Sequence, residues 1–213
     1  MSNILEMKEV SYKYKGTTQE VLKDINYEFE EGKCYVVKGP SGSGKTTLLS
    51  LISGLEPKYG GSIKYKGKEL KEINLDTYRN KDIGIVFQSY NLLPHLTAAE
   101  NIILSMDISH VKVEDKRAKA IELMKQVGLQ EYMASRRVLK LSGGEQQRVA
   151  IARSLSYDPD MIIADEPTGN LDKKTEEDIM KIFTSLSAAG KCVIIVSHSE
   201  NVCNFADEVF ELT

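Results

Sequence analysis

The octapeptide Gly39-Pro-Ser-Gly-Ser-Gly-Lys45-Thr46 admits very few folds. It fits G-x(4)-G-K-[ST], in which glycines let consecutive backbone N–H groups turn inward around phosphates. Such a loop needs an apolar strand feeding it and a helix leaving it, because the helix dipole adds to the attraction for anions. Both neighbours are present: Cys34–Val37 is an apolar run of strand length, and Lys45–Ile52 carries a helical pattern. Gly39, Pro40, Ser41, Gly42, Ser43 and Gly44 then form the cradle. Lys45 reaches the β and γ oxygens, Thr46 offers its hydroxyl to Mg²⁺, and Thr47 follows as a further candidate contact.

A second segment fits the same chemistry. Met161–Ala164 is a buried-strand pattern whose end delivers Asp165 to a Mg²⁺ shell. Glu166 is adjacent, and strand alternation would turn its carboxylate elsewhere, where it can orient and deprotonate a water. His198 ends the apolar run Cys192–Val196 plus Ser197, at the edge of a parallel sheet where ligands bind. It is placed to donate a hydrogen bond to a γ-phosphate. His95 and His110 have no comparable setting and read as structural or surface residues.

The rest of the chain alternates strand and helix signals, which argues an α/β fold with a mainly parallel core. Val21–Phe29 alternates, with Ile25, Tyr27 and Phe29 on one face, and Leu5 and Met7 suggest a partner strand. Both read as part of an N-terminal antiparallel β subdomain. Ile83–Phe87 is a further central strand, although Gly84 weakens its propensity. Helices are expected at Glu114–Val127, ending at Gly128, and at Lys173–Ala188, following Asp172 as N-cap. Residues 89–158 show no convincing strand and read as a helical subdomain inserted between core segments 1–88 and 159–213. A net charge of −3 argues against a broad nucleic-acid footprint, and no nucleic-acid partner is expected. Cys34, Cys192 and Cys203 lack CxxC spacing and read as small buried hydrophobes in a reducing compartment. The longest apolar runs are strand-sized, so a membrane role would go through a partner.

Inside the helical insertion lies Leu141–Arg148, LSGGEQQR. Ser142 at N-cap and Glu145 at N3 form a capping-box pattern, and Gly143 and Gly144 leave the helix start bare for an anion. A second phosphate-seeking element beside a complete cradle needs an explanation. Together GPSGSGKT, Gln88, LSGGEQQR, MIIADEP, Asn170-Leu-Asp172 and His198 resemble the nucleotide-binding subunit of an ATP-binding cassette (ABC) transporter, over nearly the whole chain and in the right order.

That resemblance implies further roles. Tyr14 would stack on adenine, with Tyr12 as the neighbouring alternative; Gln88 would touch Mg²⁺ and the water; Asp172 would cross a dimer interface. Two copies would pack head-to-tail around two ATP, so that Ser142, Gly143 and Gly144 of one complete the site of the other. A permease would dock near residues 89–101, through Tyr90, Leu92, Leu93 and Leu96, placing the protein peripherally on the cytoplasmic face of the cell membrane. The segment around Asn91–Asn101 is similar to the lipoprotein-release, macrolide-export and antimicrobial-peptide-export branch, with the cell-division ATPase close by. Val138-Leu-Lys140 departs from that branch, which often has Pro before the signature. The chain stops at Thr213 after an apparent final strand, and no C-terminal regulatory domain of the kind some importers carry is expected. Two rivals stand beside a transport motor: the same ATPase driving a membrane protein that transports nothing, and a soluble ABC ATPase of DNA repair or translation.

Overall fold

The computed structural model describes residues 3–212. Thr213, at the end of the expected final strand, lies outside them. The chain opens with β1 (Asn3–Tyr12) and β2 (Leu22–Glu30), an antiparallel pair, then β3 (Cys34–Lys38), the glycine loop and α1 (Lys45–Ile52). Next come β4 (Gly60–Tyr65), the short β5 (Lys68–Glu69), α2 (Leu75–Thr77) with a wide helical turn at Tyr78–Asp82, and β6 (Ile83–Val86). Three helices follow without a strand between them: α3 (Ala98–Ile108), α4 (Lys116–Gln126) and α5 (Gly143–Ser154). The chain finishes with β7 (Met161–Asp165), α6 (Lys173–Ala188), β8 (Cys192–Ser197), the single turn α7 (Glu200–Cys203) and β9 (Glu208–Glu211).

Two sheets result. The antiparallel one has order β2-β1-β4-β5, and the all-parallel one has order β6-β7-β8-β3-β9. The fold is the mixed α/β class expected, with its antiparallel sheet and its helical insertion. Strands β3, β6, β7 and β8 are mostly apolar because both sheet faces are covered there, whereas the edge strand β9 carries Glu208 and Glu211 and is largely exposed. Successive residues alternate between two cores. Ile162, Ala164, Val193 and Ile195 face a core shared with α3, α4, α5 and α6, while Met161, Ile163, Ile194 and Val196 face one shared with α1 and the antiparallel sheet. Each fully buried Ile or Leu there contributes about 1.5–3 kcal/mol.

Several boundaries shift. The Glu114 helix begins at Lys116, because the Asp115 carboxylate accepts from the Arg117 and Ala118 amides and caps it. Its C-terminal stop is as expected: Gly128 has φ 79°, its N–H bonds to Lys125, and that of Leu129 to Met124, a Schellman closure. Strand β6 stops at Val86, one residue short of Phe87. Gly84 turns out to be a packing requirement: a Cβ there would lie 2.6 Å from Ile162 Cδ1 and 2.8 Å from the Ser154 carbonyl. Helix α5 therefore crosses close over β6, which glycine alone permits.

Candidate functional site

Helix α1 starts at Lys45, and its N-cap, Gly44, holds φ 93°, which a side chain would resist. The loop so formed edges a cleft of about 600 Å³. Ser41, Gly42, Gly44, Lys45, Thr46 and Thr47 line it from the cradle side. Tyr14, Gln88, Asp165, Glu166 and His198 line it from four other segments. Lys45 is 8% exposed, and its ammonium donates to the carbonyls of Gly39 (2.7 Å) and Pro40 (2.9 Å). The Ser43 hydroxyl is buried without a hydrogen-bond partner.

At the end of β7 the Thr46 hydroxyl donates to Asp165 Oδ2 at 3.2 Å. Burial pushes the Asp165 carboxyl above its ordinary value, against the opposing pull of the Thr46 hydroxyl. A hydroxyl, a carboxylate and the Gln88 amide on one cleft form an oxygen donor set that suits a hard divalent cation. Among the described residues no group of three or more His, Cys, Asp or Glu forms a metal cage. A magnesium ion held by few side chains and by phosphate oxygens fits this arrangement.

Glu166 differs from expectation in one respect. Strand alternation does not orient it, because β7 ends at Asp165 and Glu166 takes φ 43°, in the left-handed region. Its N–H is held by the Val196 carbonyl at 3.0 Å, and its own carbonyl accepts from Gly169 at 3.2 Å. Those contacts carry a backbone strain of about 1–3 kcal/mol. The side chain accordingly turns toward β8. Its Oε1 lies 2.9 Å from His198 Nδ1, with the imidazole 68% exposed and the carboxylate 13%.

The two tyrosines separate clearly. Tyr14 is 49% exposed, lines the cleft, and its hydroxyl pairs with Thr47 Oγ1 at 2.8 Å. Tyr12 is 8% exposed, points away to Glu56 at 3.2 Å, and its ring stands perpendicular to that of Tyr14, with centroids 5.1 Å apart. His95 and His110 are exposed and outside the cleft. Cys34 and Cys192 are buried and Cys203 is half-buried; burial pushes the Cys34 thiol up to about 12, so no reactive thiolate forms there.

Helix α5 has the expected capping box: Ser142 Oγ accepts from the Glu145 amide at 3.3 Å, and Glu145 accepts from the Ser142 amide at 2.7 Å. Ser142, Gly143, Gly144 and Asp172 do not border the cleft. The two glycines lie instead against Tyr90, Leu171 and Thr175 of their own chain. Asp172 caps α6, its carboxylate accepting from the Thr175 amide (3.1 Å) and hydroxyl (2.7 Å), which holds that carboxyl below its ordinary value. Sequence reasoning missed Arg153. Its guanidinium donates to the carbonyls of Asn91 and Tyr90, the latter at 2.9 Å, and clasps two consecutive left-handed residues just past Gln88. No local pattern signals this, since the arginine comes from the far end of α5.

A glycine loop between strand and helix, with an Asp–Glu pair at the end of a strand of the same parallel sheet, one strand removed across β8, defines a P-loop nucleoside triphosphatase. Residues 22–169, more than half of the chain, match the family model described as ABC transporter. The chain belongs to the ABC transporter family as an ATP-binding component and is an ATPase of that family. It is 44% identical over 206 residues to the ABC transporter ATP-binding protein YclH of Bacillus subtilis, covering 96% of this chain and 91% of that protein. It is 39% identical over 218 residues to the lipoprotein-releasing system ATP-binding protein LolD of Geobacter metallireducens, covering 100% and 96%. A solved dimeric structure of the ABC transporter cassette MJ0796, of Methanocaldococcus jannaschii, superimposes with a TM-score of 0.88 at 38% identity, over 98% of this chain and 94% of that one. A second dimeric structure of that cassette, in a post-hydrolysis state, holds ADP and Pi.

Proposed function

We propose that two copies of this chain pair head-to-tail around two ATP and drive a membrane permease. The observation that carries the reading is the separation of the phosphate-seeking elements: the bare start of α5 does not border the cleft of its own chain. Placed against a second copy, Ser142, Gly143 and Gly144 would complete the γ-phosphate site of that copy, with Asp172 at the shared interface. The dimeric MJ0796 structures support a pair of copies.

Within each half-site, the cradle from Gly39 to Thr47 binds the triphosphate and Tyr14 stacks on adenine. Thr46, Asp165 and Gln88 would hold Mg²⁺, which neutralises charge on the phosphates when bound. Glu166 is the base that orients and deprotonates the attacking water. His198 faces the same space. With a proton on Nδ1 bonded to Glu166, a neutral ring presents only a lone pair at Nε2. Donation to a γ-phosphate then needs the imidazolium or release of the Glu166 contact.

Residues 89–158 act as the helical subdomain and 1–88 with 159–213 as the core. The permease contact lies near 89–101, where Leu93 is exposed; Leu139 stands exposed close by, next to the Val138–Leu96 backbone bond. No helix among the described residues is long and apolar enough to cross a membrane, so attachment would be peripheral, at the cytoplasmic face. The cargo proposed is an exported lipoprotein, peptide or drug-like molecule, of which likeness to the lipoprotein-releasing LolD supports the first. In Glu166→Gln, hydrolysis should fall at least about 100-fold while ATP binding persists; parental hydrolysis in this variant would remove Glu166 from its role.

A further inference from the structure

Outside the cleft, donors from two chain segments converge on one carboxylate. Glu176 stands in the first turn of α6, where the helix dipole favours an anion. Its Oε2 accepts from the Thr168 hydroxyl at 3.1 Å and the Ser199 hydroxyl at 3.4 Å, and its Oε1 accepts from Asn201 Nδ2 at 2.7 Å. Both carboxylate oxygens are engaged, and none of these four residues borders the cleft.

The positions of the donors matter. Thr168 is buried and comes two residues after Glu166; Ser199 and Asn201 come one and three residues after His198. Ser199 is the N-cap of α7 yet makes no capping bond, because its hydroxyl is turned to Glu176. A single four-residue turn such as α7 cannot hold itself. The His198 ring, largely exposed, has Glu166 as its side-chain partner, so the turn beneath it sets where the ring sits. That turn is fixed on its other side through Ser197: the Ser199 amide donates to Ser197 Oγ (3.1 Å), and Ser197 Oγ donates to Glu166 Oε2 (3.3 Å).

We propose that Glu176 is a positioning residue for hydrolysis, clamping the turn that carries His198 to the loop that follows Glu166. The clamp keeps imidazole and carboxylate at hydrogen-bond distance without touching nucleotide. It rests on reading Glu166 and His198 as the hydrolytic pair. Geometry is what it supplies, so an uncharged group of the same shape should serve. A glutamine there accepts from Asn201 and donates to the hydroxyls, which can rotate to receive it.

The test measures kcat, KM for ATP, nucleotide Kd and melting temperature for Glu176→Ala and Glu176→Gln, beside Glu166→Gln and His198→Ala. Glu176→Ala is expected to lower kcat roughly 10- to 100-fold, since misplacing a reacting group by an ångström has effects of that size. KM and Kd should stay within about twofold, a transition-state-only loss. Glu176→Gln should recover to within about threefold of the parent. Parental kcat in Glu176→Ala, a glutamine variant as slow as the alanine one, or nucleotide affinity falling in step with kcat each overturns the proposal. If the alanine variant does not fold, Asn201→Ala removes one contact from the rim of the network. It should lower kcat about threefold, and an unchanged kcat contradicts the clamp. Parental hydrolysis in Glu166→Gln and His198→Ala overturns the hydrolytic pair and the clamp together. Slow hydrolysis in both with parental Glu176→Ala overturns the clamp alone.

Discussion

At the scale of single residues, the site combines a preformed cradle with side chains held in conformations they would not choose alone. Lys45 is pinned by its own loop's carbonyls, and Glu166 sits at a positive φ that Val196 and Gly169 stabilise. The residue types were legible in the sequence because G-x(4)-G-K-[ST] and a strand-end Asp-Glu are local patterns. The left-handed Glu166 and its contact with His198 were not, since both depend on β7 and β8 lying side by side. The sequence favours Tyr14 over its neighbour Tyr12 without a spatial reason; burial of Tyr12 under the antiparallel sheet, which leaves Tyr14 on the cleft, supplies one. Tyr14→Ala is expected to weaken ATP binding by about 1–3 kcal/mol, the usual worth of one base–aromatic stack. Tyr12→Phe should leave it unchanged. Calorimetric titration of both variants checks this, and equal losses would put the adenine elsewhere.

At the scale of elements, strand and helix signals were legible wherever one face or both were uniformly apolar. Strands β3, β7 and β8 and helices α1 and α6 fall where the pattern puts them. Strands β4 and β5 escaped notice: β4 begins with two glycines and exists because β1 offers it an edge, and β5 has two residues and exists because β4 offers it one. The turn at Tyr90–Asn91 is likewise set by Arg153 from outside. Gly84→Val is expected to destabilise the fold by about 1–3 kcal/mol through overpacking between α5 and β6, measured by urea unfolding. A parental midpoint would contradict the close crossing. Helix α3 offers a pH test. The Thr97 backbone and hydroxyl contacts hold the Glu100 carboxyl below its ordinary value. Its contribution is therefore present above the ordinary carboxylate range and lost as pH falls through the lowered value. The melting-temperature difference between the parent and Glu100→Ala should be largest near neutrality and shrink as pH falls below the ordinary carboxylate range. A difference independent of pH would mean the carboxylate charge is not involved.

At the scale of the whole molecule, in the proposed two-copy arrangement the parallel sheet, the cradle, Glu166 and His198 would form one half of a site, and the start of α5 half of another. Their separation within one chain explains why a complete phosphate loop and a second bare helix start coexist in 213 residues. It also explains why Ser142 should matter for hydrolysis and pairing while adding little to ATP binding by a single copy. In that arrangement bound ATP would favour the paired state, because it would contact both copies only there. The direct measurement is the solution mass of the Glu166→Gln variant by light scattering, with and without saturating MgATP. Without nucleotide the single-chain mass of 23.8 kDa is expected; with MgATP, twice that mass, falling back when Ser142→Arg is added. A Glu166→Gln chain that binds ATP and stays at 23.8 kDa would contradict the two-copy site.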